Sequence, residues 1–161
     1  MAAKATTTTA SSGSTVWTPT SGVGLRYLTD APVIVRPDGT QEWWKDSKRH
    51  RLGGPAIIWP DGGESWWQNG LLHRVGGPAR TEPGYEQWWQ NGQRHRTDGP
   101  AFTYPDGTQV WWQHNRMHRD NGPAVTYPDG SLEWWVNDVR KPPEIEDVLT
   151  MLWHARPSEG A

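Results

Sequence analysis

Short runs of β-branched and aromatic residues alternate with turn-forming residues along most of the chain. "AIIW" at 56–59, "AFTY" at 101–104 and "AVTY" at 124–127 each run directly into Pro-Asp-Gly. Proline suits the first central position of a tight turn and glycine accepts a positive φ. Each run therefore predicts a strand and a turn, with "ESWWQ" and its equivalents as the returning strand, so the unit is a β-hairpin. After the returning strand, Gly70, Gly92, Asn115 and Asp138 stand at equivalent positions. These residue types tolerate a left-handed backbone, which predicts a further turn. Ser47 is the exception in the first unit. Pro55, Pro78, Pro100 and Pro123 hold the preceding glycine extended and mark the entry to each new hairpin.

The pattern is periodic. Trp pairs at 43/44, 66/67, 88/89, 111/112 and 134/135 are separated by steps of 23, 22, 23 and 23. His-Arg at 50/51, 73/74, 95/96 and 118/119 and Gly-Pro-Ala at 54–56, 77–79, 99–101 and 122–124 keep the same register. "DAPV" at 30–33 reads as a degraded first copy, and the third unit has only Pro83-Gly84 where the others have Pro-Asp-Gly, which explains its shorter step. The fold expected is all-β, a single-domain β-hairpin repeat solenoid of about five 23-residue units over residues 23–142. Residues 1–22, rich in Thr, Ser, Ala and Gly, read as a disordered or extended arm. Residues 143–161 read as a C-terminal capping helix and tail: Pro143 stands near its start, acids fill the first turn, and Ile145, Val148, Leu149 and Leu152 share one face.

Composition changes the expected core. Hydrophobic residues make up 34% of the 161 residues, below the usual ~45–50%, yet Trp occurs 13 times. Rows of indoles are expected to replace the missing aliphatic side chains. The net charge of -2 and pI near 6.3 provide no field for nucleic acid or an anionic membrane. Absence of cysteine removes disulfides, thiolate catalysis and Cys-type zinc sites. No apolar run approaches the ~18 residues of a membrane span. "MAAKATTTTASSGST" lacks the apolar segment of a secretory signal, so the expected setting is cytoplasmic, or a virion assembled there.

The period, the hairpin layout and the element "WWQNG" at 66–70 and 88–92 resemble MORN repeats. They are more similar still to the MORN-variant repeats of bacterial, phage and large-virus proteins, in which "nGxxHRxdGPA" followed by "xxxDGxxxWW" recurs. The resemblance covers about residues 27–142 and implies a module that binds proteins, lipids or toxins. Ordinary MORN repeats carry Tyr-x-Gly in the strand where this chain carries Trp-Trp, so lipid binding is not carried over.

Neighbouring strand residues face opposite ways, so each Trp pair sends one indole to each side of the sheet. One row serves as core; the other, through Trp67, Trp89 and Trp112, is a candidate contact stripe. His50, His73, His95 and His118 recur about two strand spacings apart, roughly 9.6 Å, too far to share a zinc ion whose ligands lie at ~2.0–2.1 Å. Nothing near them supplies a consistent nucleophile. In the scaffold reading each His donates to a backbone carbonyl, while Arg51, Arg74, Arg96 and Arg119 lie over an indole or pair with a strand carboxylate such as Glu64 or Glu86. In the binding reading the same Arg and His residues line a groove for an anionic partner. The expected function is non-catalytic binding of another macromolecule, a protein, through an elongated sheet face, with no enzyme activity, cofactor or metal. An antitoxin or immunity-evasion protein sequestering a defence component or a nucleotide-like anion is one alternative, and a virion or other structural subunit is another. Self-association through sheet edges is left open.

Overall fold

In the computed structural model, residues 5–19 and 34–143 are described. Among them every regular element is a β-strand, and antiparallel hairpins form one long sheet. In chain order the strands begin with β1 (Ala5–Thr9), β2 (Thr15–Pro19), β3 (Ile34–Val35), β4 (Gln41–Glu42), β5 (Trp44–Lys45), β6 (Lys48–Arg49) and β7 (Ile57–Ile58). They continue with β8 (Glu64–Ser65), β9 (Trp67–Gln68), β10 (Leu71–Leu72), β11 (Arg80–Glu82), β12 (Tyr85–Gln87), β13 (Trp89–Gln90) and β14 (Gln93–Arg94). The last are β15 (Phe102–Thr103), β16 (Gln109–Val110), β17 (Trp112–Gln113), β18 (Arg116–Met117), β19 (Val125–Thr126), β20 (Leu132–Val136) and β21 (Val139–Lys141).

Each 22- or 23-residue step contains two hairpins. The first, such as β7–β8, turns at Pro-Asp-Gly and joins a 13-stranded sheet of order β1-β2-β3-β4-β7-β8-β11-β12-β15-β16-β19-β20-β21. In the β7–β8 turn Gly62 N–H donates to the Trp59 carbonyl at 3.0 Å and Asp61 Oδ1 accepts the Gly63 N–H at 2.9 Å; in the β3–β4 turn Gly39 N–H donates to the Arg36 carbonyl at 2.9 Å and Asp38 Oδ1 accepts the Thr40 N–H at 2.8 Å. Asp106 and Asp129 repeat that acceptance from Thr108 and Ser131, each at 2.8 Å. The aspartate thus satisfies a donor that the glycine bulge would leave free. The second hairpin, such as β9–β10, begins at the second Trp, and its two-residue turn has positive φ at both positions: Asn69 52° and Gly70 83°, Asn91 49° and Gly92 74°. That is the mirror-image turn whose twist suits short hairpins. Ser47 adopts it as well, at φ 59° beside Asp46 at 49°. The geometry of the two-residue loop overrides the side-chain preference, at a cost on the order of 1 kcal/mol.

Ala56, Ala79, Ala101 and Ala124 sit where the chain passes between hairpins, each with 0% exposure. The Ala56 N–H donates to Ser65 O at 2.7 Å, and its carbonyl accepts the Trp43 N–H at 2.8 Å; the other three repeat the pattern.

The sheet face that the second hairpins cover carries Glu42, Ile57, Ser65, Arg80, Gln87, Phe102, Val110 and Val125 in register across the ladder. Phe102, Val110 and Val125 are buried with Trp89, Trp112 and Met117 packed against them. The earlier half of the same row is polar apart from the buried Ile57.

Within the arm expected, disordered or extended, over residues 1–22, Ala5–Thr9 and Thr15–Pro19 are extended and pair as a hairpin that continues into β3. Its turn repeats the later ones: Gly13 N–H donates to Ala10 O and Ala10 N–H to Ser14 O, both at 2.9 Å. A Cβ on Gly13 would lie 3.2 Å from Pro37, so this turn stacks on the next as those of Gly39, Gly84 and Gly107 do. Threonine's β-branch favours strand, and the open edge of β3 supplies the partner. The capping helix expected over residues 143–161 falls, apart from Pro143, outside the described residues.

Candidate functional site

The four His-Arg pairs, the first Trp of each pair and the Gly-Pro-Ala triplets form one repeated cluster. The guanidinium carbon of Arg51 lies 3.8 Å from the ring centre of Trp43, with Arg74 over Trp66 at 3.9 Å, Arg96 over Trp88 at 3.8 Å and Arg119 over Trp111 at 4.1 Å. Each Arg Nη1 donates to the proline carbonyl of the following Gly-Pro-Ala, at 3.0–3.2 Å. The other face of the guanidinium rests on the glycine. A Cβ at Gly54, Gly77 or Gly99 would come within 2.9, 2.9 or 2.6 Å of the Arg carbon. Glycine is needed there for space, because these three are not in the left-handed region. Burial lowers the Arg119 pKa, as expected for a cation held between an indole and the backbone.

The structure therefore lays each of these arginines over an indole, one of the two sequence expectations. The carboxylate that pairs is Asp98, which accepts from Arg96 Nε at 2.8 Å, and not Glu64 or Glu86. The histidines act in the sense opposite to that expected. Nδ1 of His50, His73, His95 and His118 accepts the backbone N–H of Asn69, Asn91, His114 and Asn137, the first residue of the next unit's left-handed turn, at 3.1–3.4 Å. The left-handed turn aims that N–H back at the preceding unit, where it meets a nitrogen lone pair. For His95, burial and then the nearby His114 push the pKa down, favouring the neutral ring that can accept.

Trp67, Trp89 and Trp112 lie on the opposite side and are half-buried. Trp67 Nε1 donates to Ser65 Oγ at 2.7 Å and Trp89 Nε1 to Gln87 Oε1 at 2.9 Å, two residues back on the same face. Their cross-strand partners alternate in character: Arg49 opposite Trp44, Leu72 opposite Trp67, Arg94 opposite Trp89, Met117 opposite Trp112. Arg49 lies 5.3 Å from the ring centres of both Trp44 and Trp67. Arg94 lies between Trp89 and Trp112, at 5.3 and 4.7 Å.

At the start of the array this row opens into a cavity of about 370 Å³, lined by Arg36, Asp38, Thr40, Glu42, Arg49, Ile57, Trp59, Ser65, Trp67 and Arg80. Burial alone would push Glu42 up, but hydrogen bonds from Arg36 Nε at 2.5 Å and Trp44 Nε1 at 2.8 Å, with the charges of Arg36 and Arg49, hold its carboxyl below the usual range. Of the sequence candidates only Trp67 lines this space. Arg36, Arg49, Arg80 and Ser65 do not belong to any repeated motif and were not singled out. The signal for them was departure from the repeat: Arg80 stands in the register of Ile57, Phe102 and Val125, and Ser65 in that of Gln87 and Val110. Among the described residues no three His, Cys, Asp or Glu side chains converge, and no helix is long and apolar enough to cross a membrane. No protein-family model matches the chain, and no curated protein matches it.

Proposed function

We propose that the chain is a non-catalytic, MORN-like hairpin solenoid that binds another macromolecule, a protein, through one elongated face. One observation carries this reading. The repeated residues are engaged inside the scaffold, Trp with Arg, Arg with Gly-Pro and His with the next turn, so the surface that differs between units is what remains to recognise a partner. That surface is the residue ahead of each hairpin turn, Arg36, Trp59, Glu82, Tyr104 and Tyr127. By strand alternation these side chains share the face of Ile57, Phe102 and Val125. Tyr104 and Tyr127 are each 37% exposed, and Tyr85 extends the aromatic stripe with its ring 5.4 Å from that of Tyr104. Tyrosine supplies large contact area at low entropic cost, as binding surfaces require.

The test is a Tyr104→Ser, Tyr127→Ser double variant, assayed against a partner captured by crosslinking to the unaltered chain. Expected is loss of capture with an unchanged urea midpoint. Capture at full yield by the double variant would overturn the choice of face, and capture lost only in variants of Arg51, Arg74, Arg96 or Arg119 that still fold would move the site to the His-Arg row.

A further inference from the structure

We infer that the cavity between the first two hairpin pairs is a binding site for a small planar anion, an aromatic ring bearing a carboxylate or phosphate. This goes beyond the macromolecular face. The cavity exists because the repeat is broken there. Around Arg94, the equivalent space is filled: Phe102 stands for Ile57 and Val110 for Ser65, and the Arg94 guanidinium lies 5.2 Å from the Phe102 ring centre. Around Arg49, Ser65 is the smallest member of its row and, although only 1% exposed, belongs to the wall of the open space. Its volume of about 370 Å³ lies within the ~300–1,000 Å³ of small-molecule sites.

The chemistry of the walls selects the ligand. Glu42 is already matched by Arg36 and Trp44, so its charge does not call for a cation. Arg49 is different. Its Nε is buried and makes no hydrogen bond among the described residues, and its nearest carboxylate oxygen, on Glu42, is 3.9 Å away. The side chain is 35% exposed and Arg94 Nε is buried and unbonded in the same way, so what sets Arg49 apart is the open space beside it, where an anion can supply the missing acceptor. Arg80, whose Nε and Nη2 donate to Glu82, is 39% exposed, as Glu82 is at 36%, so that pair can be exchanged for a ligand. The Ser65 hydroxyl accepts from Trp67 and keeps its own proton to donate. The indoles of Trp59 and Trp67 line the same space, with Arg80 5.1 Å from the ring centre of the first and Arg49 5.3 Å from that of the second, and supply aromatic surface for a ring.

The scaffold supplies its own substitutions. Met117 occupies the register of Arg49, Val110 that of Ser65, and Val125 that of Arg80. Arg49→Met, Ser65→Val and Arg80→Val therefore place residues that this backbone already accepts elsewhere. Calorimetric titration of the full chain with benzoate, adenosine monophosphate and inorganic phosphate tests the site. At least one ring-bearing anion is expected to bind saturably and at least about tenfold more tightly than inorganic phosphate, the worth of one stacked ring. Arg49→Met and Ser65→Val should each weaken that binding at least about tenfold, by loss of a charge-assisted hydrogen bond or of the space. Arg94→Met, made at the filled equivalent, should leave it within about twofold. Benzoate binding alone would assign a carboxylate; adenosine monophosphate binding alone would assign a phosphate. No saturable binding by either, equal binding of inorganic phosphate, or binding that survives Ser65→Val with a native near-ultraviolet spectrum would each overturn the inference.

Discussion

At the scale of single residues, the arginine between indole and glycine explains why three motifs keep one phase. Remove the arginine and the glycine has no reason to be glycine. Gly99→Ala alone should destabilise the fold by about 1–3 kcal/mol, because the new Cβ lies 2.6 Å from the Arg96 guanidinium carbon. Arg96→Ala should cost a similar amount through the lost ring contact, the bond to Pro100 and the pair with Asp98. The double variant is expected to lose clearly less than the sum, with coupling measured by urea denaturation of all four proteins. Additive losses would mean that the two residues are not packed on each other. His95 permits a second test at this scale. Its folded pKa is depressed, so the unfolded chain binds the proton more readily. The contribution is complete above the ordinary value of 6.5 and is lost as pH falls through that value toward the folded pKa. His95→Gln keeps an acceptor but does not titrate. Its urea midpoint should fall less between pH 7.5 and 5.0 than that of the unaltered protein.

At the scale of elements, each step is a pair of hairpins rather than one. Trp66 is where they part: its N–H donates to Ala79 of the next unit, while its carbonyl accepts the N–H of His73 in its own. The Arg74 N–H then donates to Trp89 O, which ties the second hairpin to its successor. An N-terminal hairpin with the same turn geometry extends the sheet by two strands and covers β3. Deletion of residues 1–19 should lower the melting temperature by several degrees, roughly the effect of a 1–2 kcal/mol loss in a chain of this size. It should also raise the mass measured by light scattering, because an uncovered edge pairs with other chains. An unchanged melting curve and a monomeric mass would show that the hairpin does not stabilise the sheet.

At the scale of the whole molecule, one backbone pattern carries two unlike interiors. Phe102, Val110 and Val125 make the later half apolar, whereas in the earlier half Glu42, Ser65, Arg80 and Gln87 surround the single apolar Ile57 and a cavity opens beside Arg49. Apolar burial stabilises without geometric conditions, while buried polar groups must be matched one by one. Hydrogen exchange should therefore be slower at Phe102, Val110 and Val125 than at Glu42, Ile57 and Ser65, although the hydrogen-bonding ladder is the same. Uniform protection would contradict this division. A ring-bearing anion that fills the cavity should raise protection in the earlier half first.

The sequence by itself determined the all-β class, the period, the position of every Pro-Asp-Gly turn and the grouping of Trp, His-Arg and Gly-Pro-Ala, because each rests on local backbone chemistry that a single residue type imposes. It also separated the two Trp rows, since strand alternation does not depend on neighbours. Only the tertiary structure decided what those groups do. The His nitrogen meets a backbone N–H contributed 18 or 19 residues later, and the polarity of that contact follows from the next turn's handedness. The N-terminal hairpin has the single Trp17 in place of a Trp pair and no Pro-Asp-Gly, and becomes visible once β3 presents an edge for β2 to pair with. The cavity is a property of what is missing, one short side chain among longer ones, and space left between units has no local signature in the chain.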